Sequence, residues 1–286
     1  MKKFVITTDS NSDLPKDYIT KHNITIIPQY YGFDEEVYGD DKHLSPADFY
    51  QKMRDGQMPT SMANNPAVIE SKFEELLKDG YDILHIAFSS QLSGSYGNVV
   101  MVANELKEKY PEATIEVIDS CTASLGEMLL IMKAYNMKDE GKSLIEIKDV
   151  IESSKANIYA DFTVDDLNHL QKGGRISKTT AIVGGIVKIK PVLTLDREGK
   201  ITSAGSARGR KKAYSLLVDR ISEKNGGNYG SKTIGIMHGD CLDDANYFAS
   251  LLQEKLGCSD IVINDVSPSI GTHAGPGVIG VCYWGE

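Results

Sequence analysis

The segment from residue 83 to 109 has the pattern of a buried strand, a turn rich in serine and glycine, and a helix. Residues 83–88 are apolar over the length of a strand, and 99–106 carry apolar residues at helical spacing before a charged end. Such a turn in an α/β sheet presents free backbone N–H groups and the positive end of a helix dipole. Ser93 and Ser95, with the backbone at Gly94, could therefore hold a small anionic group. The alternative is that these residues only form a tight turn and cap the helix.

Composition excludes several classes of function. The 286-residue chain has a net charge of −9, which argues against a general nucleic-acid-binding protein. Its four cysteines are scattered, with no Cys-x-x-Cys pair, so we expect reduced thiols in the cytoplasm and no zinc site. The N-terminus becomes polar too soon for a signal peptide. No apolar run reaches membrane-spanning length; the run at 181–187, where we predict a buried helical turn, ends at Lys188.

Strands and helices alternate through the first half of the chain, which predicts a parallel sheet. Two strands, 4–8 and 114–118, are each followed by Asp-Ser, and we expect Asp9 and Ser10 to be candidates for a ligand rim at the carboxyl edge. The alternation pauses near 155–157, so we predict domains at 1–156 and 157–286. In the second half, a hairpin signal at 196–200 predicts antiparallel strands and a mixed sheet.

Two further segments are ambiguous from sequence alone. Thr60 and Ser61 lie in a loop flanked by prolines, which is either a plain connector or part of a ligand site. Residues 208–212 form the one dense basic cluster, and they precede a predicted helix, where positive charge opposes the helix dipole. This placement favours a docking surface for a partner, with a phosphate-bearing ligand or a solvated surface as alternatives.

The ordered set of motifs along the chain resembles the DegV family. The motifs are Thr8-Asp9-Ser10, Pro59-Thr60-Ser61, the segment 90–96 (SQLSGSY), Val117-Ile118-Asp119-Ser120, the segment 170–177 (LQKGGRIS), Ile189-Lys190-Pro191-Val192-Leu193 and the segment 271–277 (GTHAGPG). The resemblance implies an α/β/α first domain with a parallel sheet and a two-layer second domain with a mixed sheet. It also implies a cytoplasmic bacterial protein that binds one long-chain fatty acid, of the palmitate, stearate or oleate class, between its domains.

Family members with a known role present the fatty acid to a separate fatty acid kinase, which makes acyl phosphate for phospholipid synthesis. By this resemblance the chain itself catalyses nothing and needs no cofactor. The carried-over carboxylate site is Thr60, Ser93 and His273, and Arg175 organises the interface. Secondary candidates are Ser61, Ser95 and Gly94; the residues expected to dock the kinase are Arg208, Arg210 and Lys211. The family usually continues its Thr-Ser pair with Gln-Pro, whereas Met62-Ala63 follow here.

An alternative from a different class is a serine-dependent esterase or hydrolase that uses Ser93 as nucleophile and His273 as base. The G-x-S-x-G elbow typical of many such enzymes is absent around Ser93, which disfavours this alternative. For the carrier we expect a monomer, with no stable membrane insertion.

Overall fold

The computed structural model describes residues 2–177, 189–227 and 229–285. The run at 181–187, for which the sequence predicts a buried helical turn, lies outside these residues. Within the described residues the strands form a four-stranded, a six-stranded and a three-stranded sheet. No helix of this part of the chain is both long and apolar enough to cross a membrane.

The described elements divide near residue 157. Before it come, in chain order, β1 (Phe4–Asp9), a 3-10 turn (Ser10–Ser12), α1 (Lys16–His22), β2 (Ile26–Ile27), β3 (Tyr30–Phe33), β4 (Glu36–Tyr38), α2 (Pro46–Arg54), β5 (Thr60–Met62), α3 (Pro66–Lys78), β6 (Asp82–Ala87), α4 (Ser95–Lys109), β7 (Ile115–Asp119), α5 (Leu125–Asp139) and α6 (Leu144–Ser154). A second 3-10 turn (Lys155–Asn157) leads to β8 (Ile158–Thr163), α7 (Asn168–Lys172), β9 (Ile189–Leu195), β10 (Ile201–Arg208), α8 (Arg210–Lys224), β11 (Ile234–His238), α9 (Leu242–Leu256), β12 (Ile261–Asp265), α10 (Pro268–Ala274) and β13 (Ile279–Trp284).

The first sheet is parallel throughout, in the order β2-β1-β6-β7. All six residues of β6 are buried, because helices cover both faces of the sheet. Helices α3 and α4 pack on one face, where Phe73 and Val99 join Ile83 in one apolar cluster. Helices α5 and α6 pack on the other face. This α/β/α arrangement confirms the parallel sheet predicted for the first half.

The second sheet is mixed, in the order β10-β9-β8-β13-β11-β12, and only β11 and β12 pair in parallel. Helices α8 and α9 cover one face through Tyr214 and Phe248, which cluster with Ile236 and Val281 of the sheet. The predicted fold class, a parallel sheet followed by a two-layer mixed sheet, is confirmed. We propose 1–156 and 157–286 as the two domains, because the four strands of the parallel sheet precede the break and the six strands of the mixed sheet follow it.

Helix α5 lies between the two sheets. Nine of its fifteen residues are buried, which is typical of a helix covered on more than one side. It packs against β1 and β6 of the parallel sheet and against β8, β11 and β13 of the mixed sheet. A Cβ at Gly235 of β11 would lie 2.6 Å from Cβ of Leu125, so glycine lets the helix approach the strand closely. The two halves therefore share one core along this helix.

A small antiparallel sheet, β4-β3-β5, lies beside α10. The sequence predicts a loop at residues 60–61, but they form strand β5, with Ser61 opposite Tyr31 and Thr60 opposite Gly32. Helix α10 begins at Pro268 and carries His273. Both elements are short and owe their form to packing, and together they bring residues from the two halves to one place.

Candidate ligand-binding site

A cavity lies between the two halves of the chain, and together with its opening to solvent it spans about 780 Å³. Its walls are mostly apolar. Six of the residues that line it are Phe88, Leu92, Phe162, Leu195, Ile201 and Met237. A smaller polar group lines the same cavity: Asn11, Gln29, Ser61, Ser93, Ser124, Arg175, Ser269 and His273. This combination suits a ligand with a long apolar part and one polar end.

The loop after β6 positions Ser93. The carboxyl group of Asp9 accepts hydrogen bonds from Phe88 N (2.9 Å) and Asn11 N (3.1 Å), and that of Asp119 accepts one from Ser90 N (3.2 Å). The Asp-Ser pairs at the strand ends therefore hold the backbone of the loops. Asp9 is not among the residues that line the cavity, contrary to its expected place in a ligand rim. Ser10 Oγ accepts from Gln29 N and is likewise absent from the lining.

Ser93 is the first member of a buried chain of polar groups. Its Oγ lies 2.8 Å from Oγ of Ser95, and the Ser95 hydroxyl donates to Gln29 Oε1 over 2.7 Å. Ser95 is the first residue of α4 and is fully buried, so its hydroxyl does not reach the cavity. Gly94 precedes the helix and supplies no side chain. Of the three loop residues that the sequence singled out, the structure brings Ser93 to the cavity.

Ser61 and His273 meet in the wall of the cavity. Their Oγ and Nε2 atoms are 2.6 Å apart, and Nδ1 of His273 is buried without a hydrogen-bond partner among the described residues. Burial, followed by the nearby charges of Arg175 and His169, lowers the pKa of His273 to about 4. The ring is therefore neutral at physiological pH. A Cβ at Gly173 would overlap Nδ1 of this ring, so the turn after α7 must carry glycine there.

Arg175 joins the halves of the site through backbone carbonyls. Its Nε and Nη2 donate to Leu92 O over 3.0 and 2.7 Å, and its Nη1 donates to Gly173 O over 2.6 Å. Burial lowers the pKa of the guanidinium from its usual value. Arg175 thus ties the loop that carries Ser93 to the turn that packs against His273.

Thr60 lies apart from this arrangement. Successive side chains of a strand point to opposite faces, so when Ser61 faces the cavity Thr60 faces away. Thr60 is exposed and is absent from the cavity lining. The structure therefore places the secondary candidate Ser61, rather than Thr60, next to His273.

The three basic residues expected to dock a partner differ in their surroundings. Arg208 ends β10 and is exposed, and Lys211 is exposed with its Nζ 5.4 Å from the ring centroid of Tyr247. Arg210 is instead paired with Asp165 (2.8 Å) and Asp244 (2.9 Å). Arg208 and Lys211 therefore have side chains available to a partner, whereas that of Arg210 is held within the chain.

Sequence reasoning missed several polar residues of the cavity. Three of them, Asn11, Gln29 and Ser124, each follow a strand of the parallel sheet, as the loop of Ser93 does. Their position at the carboxyl edge of the predicted sheet could therefore have identified them. Ser269 lies one turn before His273 on α10, whose start is marked by Ser267-Pro268. Among the described residues no group of His, Cys, Asp and Glu is arranged to hold a metal ion.

Comparisons with known proteins identify the family of the chain. A family model described as an uncharacterised protein of the DegV family matches residues 3–286. A DegV domain-containing protein of Clostridium perfringens is 42% identical over 289 residues, covering 100% of this chain and 99% of the relative.

Two solved structures share the fold over almost the whole chain. One is a stearic acid-binding protein from Eubacterium ventriosum (TM-score 0.88, 26% identity, 98% of this chain and 97% of that chain). The other is a DegV family protein from Thermus thermophilus described by its fatty acid binding (TM-score 0.87, 27% identity, 100% of both chains). The sequence motifs, the two-sheet fold and these matches show that the chain belongs to the DegV family.

Proposed function

We propose that this protein binds one long-chain fatty acid in the cavity between its halves, with the carboxylate at Ser61 and Ser93 beside His273. The observation that carries the proposal is an apolar cavity whose polar end is built from hydroxyl groups. The fatty acids bound by the relatives from Eubacterium ventriosum and Thermus thermophilus support the same class of ligand. We propose the palmitate, stearate or oleate class, with no other cofactor.

The apolar walls supply most of the binding free energy. Burying roughly 15 methylene groups at about 0.8 kcal/mol each contributes on the order of 10 kcal/mol before the costs of ordering the chain. The head group then needs enough donors to avoid a large desolvation penalty. Hydroxyl groups meet this need without a direct ion pair, and they leave one carboxylate oxygen accessible to a second protein.

His273 makes Ser61 a donor. With its proton on Nε2, the neutral ring donates to Ser61 Oγ, and the Ser61 hydroxyl proton is free to point at a ligand. The other tautomer would use that proton and would also leave a buried Nδ1–H group with no acceptor. Since an unpaired buried donor is costly, the Nε2–H tautomer is favoured. The charge of Arg175 near the site adds electrostatic attraction for a carboxylate.

We further propose that the protein is a cytoplasmic, monomeric carrier and not an enzyme. It would present the carboxylate to a separate fatty acid kinase, which would form acyl phosphate for phospholipid synthesis. Arg208 and Lys211 are the exposed residues that we assign to docking this kinase. We do not expect nucleic-acid binding or stable membrane insertion.

The alternative is a serine hydrolase, but the hydrogen bonds around Ser93 and His273 do not favour one. Ser93 Oγ is paired with Ser95, and Nε2 of His273 is paired with Ser61, so the expected Ser93–His273 pair is not hydrogen-bonded. The lowered pKa of His273, about 4, also makes the ring a weak general base. A burst of product from an activated acyl ester would favour the hydrolase.

The proposal is tested by the mass of whatever co-purifies with the protein. Native mass spectrometry should show one bound fatty acid, which organic extraction then identifies. Delipidated protein should take up about one equivalent of labelled palmitate or oleate. If no lipid is released and none is taken up, the fatty-acid assignment is wrong.

A further inference from the structure

A line of hydrogen-bonded polar groups runs inward from Ser93 in the cavity wall to the buried side chain of Gln29, which is near Asp9. Ser93 Oγ is 2.8 Å from Ser95 Oγ, and Ser95 donates to Gln29 Oε1 over 2.7 Å. The Gln29 side chain lies close enough to Asp9 to lower its pKa. Nevertheless, Gln29 Nε2 has no partner in hydrogen-bond geometry within the described part of the chain, although the residue is only 5% exposed. The hydrogen bonds of this line could run from Ser93 toward Gln29 or from Gln29 toward Ser93, and the unpaired amide nitrogen bears on which direction is used.

In the arrangement of the structure, the hydroxyl protons fix the direction of these hydrogen bonds. A serine hydroxyl has one proton, and that of Ser95 is given to Gln29. The contact between Ser93 and Ser95 must therefore use the proton of Ser93. In this direction one lone pair of Ser93 Oγ accepts from Ser95 N over 3.2 Å, and the other lone pair is left for a ligand. A carboxylate only accepts hydrogen bonds, so Ser93 cannot satisfy it in this arrangement.

The line can also run in the opposite direction. Rotating the Gln29 amide exchanges Oε1 and Nε2, which occupy nearly the same volume. Nε2 then donates to Ser95, Ser95 donates to Ser93, and Ser93 donates to a ligand. Oε1 now faces the carboxyl group of Asp9. Two acceptors would meet there unless Asp9 carries a proton and donates it to Oε1.

We propose that Asp9, Gln29 and Ser95 are positioning residues that turn the Ser93 hydroxyl toward the bound carboxylate, with uptake of one proton from solvent at Asp9. This inference rests on the proposed function, in which Ser93 contacts the head group. Asp9 suits the role because burial raises its pKa to about 7. The hydrogen bonds from Phe88, Asn11 and Gln29 lower the pKa, but burial has the larger effect.

Other titratable groups near Asp9 have different partners. Asp13 also has a pKa raised to about 7 by burial, but it accepts from Ser124 and Ser267. Glu127 of α5, whose pKa burial raises well above its usual value, accepts from Thr8. Asp119 of β7 accepts from Ser90 and Cys121. At the head group, His273 is already neutral above about pH 5.

The test measures laurate binding between pH 6 and pH 9, where this soluble fatty acid is ionised. Because the competent state carries one more proton, the Kd of the unmodified protein should rise by about tenfold per pH unit above the pKa of Asp9. Calorimetry in two buffers of different ionisation enthalpy should show proton uptake on binding. Ser95→Ala removes the competitor for the Ser93 proton, so its Kd should no longer depend on pH.

Two controls distinguish this reversal of the hydrogen bonds from Gln29 through Ser95 to Ser93, here called the relay, from other causes of pH-dependent binding. Dodecanol, which can itself donate a hydrogen bond to Ser93, should bind the unmodified protein without proton uptake. Asp13→Asn should keep the full pH dependence for laurate, and loss of that dependence would assign the proton to Asp13 and overturn the relay. Laurate binding without proton uptake in the unmodified protein would also overturn it. Absence of laurate binding at every pH would overturn the proposed function itself.

Discussion

Ser61 of β5 and His273 of α10 are joined by a contact of 2.6 Å between Oγ and Nε2, although 212 positions separate them in the chain. This contact links the small antiparallel sheet to the helix that precedes the last strand. It fixes the ring of His273 and, in the favoured tautomer, leaves the Ser61 hydroxyl available as a donor. The polar end of the cavity therefore depends on both halves of the protein.

The first prediction concerns Ser61 and Thr60. Ser61→Ala should weaken fatty-acid binding by about 1–3 kcal/mol, the usual range for a lost hydrogen bond to a charged group. Thr60→Ala is the matched control, because Thr60 is the neighbouring hydroxyl and is exposed. Titration of delipidated protein with labelled oleate measures both. A larger loss of fatty-acid affinity for Thr60→Ala than for Ser61→Ala would show that Thr60, on the other face of the strand, contacts the ligand.

Ser93→Ala should weaken binding by a similar amount, about 1–3 kcal/mol. Thermal stability without lipid should change little, because Ser93 is partly exposed at the cavity. Ser90→Ala, in the same loop but away from the cavity lining, should bind as tightly as the unmodified protein. Equal affinity for Ser93→Ala and the unmodified protein would place the head group elsewhere.

Gly173→Ala should disturb the site through a steric overlap. The backbone at Gly173 has φ −74°, which alanine adopts readily, so the effect isolates the added methyl group against His273. We expect lower thermal stability and weaker fatty-acid binding together. Gly97→Ala, where nothing lies within 4 Å of the added Cβ, is the control and should leave both unchanged or slightly raise stability. Unchanged thermal stability and fatty-acid binding in Gly173→Ala would contradict this prediction, because the turn would then accommodate the methyl group.

The basic cluster is tested by reversing the charge of Arg208 and Lys211 to glutamate. Lipid uptake should be unchanged, while a fatty acid kinase should form acyl phosphate more slowly at low salt, because exposed charges steer encounter and are screened by salt. Reversal of Lys16 and Lys21 on α1 is the matched control for net charge. Arg210 is left intact, because it is held within the chain by ion pairs with Asp165 and Asp244. Equal rates for both double variants would remove the cluster from the docking surface.

Stability should depend on pH through Asp13. Burial raises the folded-state pKa of Asp13 from 3.8 to about 7. The stability that this protonated carboxyl contributes is therefore fully present below about pH 4 and is lost as pH rises toward 7. Asp13→Asn should flatten the decline in free energy of unfolding between pH 5 and 8, as measured by urea denaturation. Asp17→Asn, at an exposed position, should leave the decline unchanged.

The sequence predicts best those elements whose signals are local. Apolar periodicity and flanking residues predict helices at 125–139, 210–224 and 242–256, and these segments form α5, α8 and α9. Ser143 precedes an apolar run and predicts a helix start, and a full capping box is observed there. These features need no information from distant parts of the chain.

The candidate site was harder to predict, because it depends on packing between distant segments. Strand β5 exists through pairing with β3, about thirty residues earlier, and that pairing decides which face of the strand meets the cavity. A shift of one residue exchanges Thr60 for Ser61. Helix α10 contains Gly271 and Thr272, which lower its intrinsic helix propensity, so its stability comes from its neighbours. The resemblance points to this region of the chain, and the structure shows which of the two neighbouring hydroxyl groups contacts His273.

Helix α5 has a consequence for how the protein unfolds. The same buried residues form part of the core of the parallel sheet and of the mixed sheet. Separating the two halves would expose one whole side of this helix, so neither half should persist once the other has melted. We therefore expect a single cooperative transition that is coincident by fluorescence and circular dichroism. Proteolytic cleavage near residue 157 should release no stable fragment, because two sheets here make one cooperative unit.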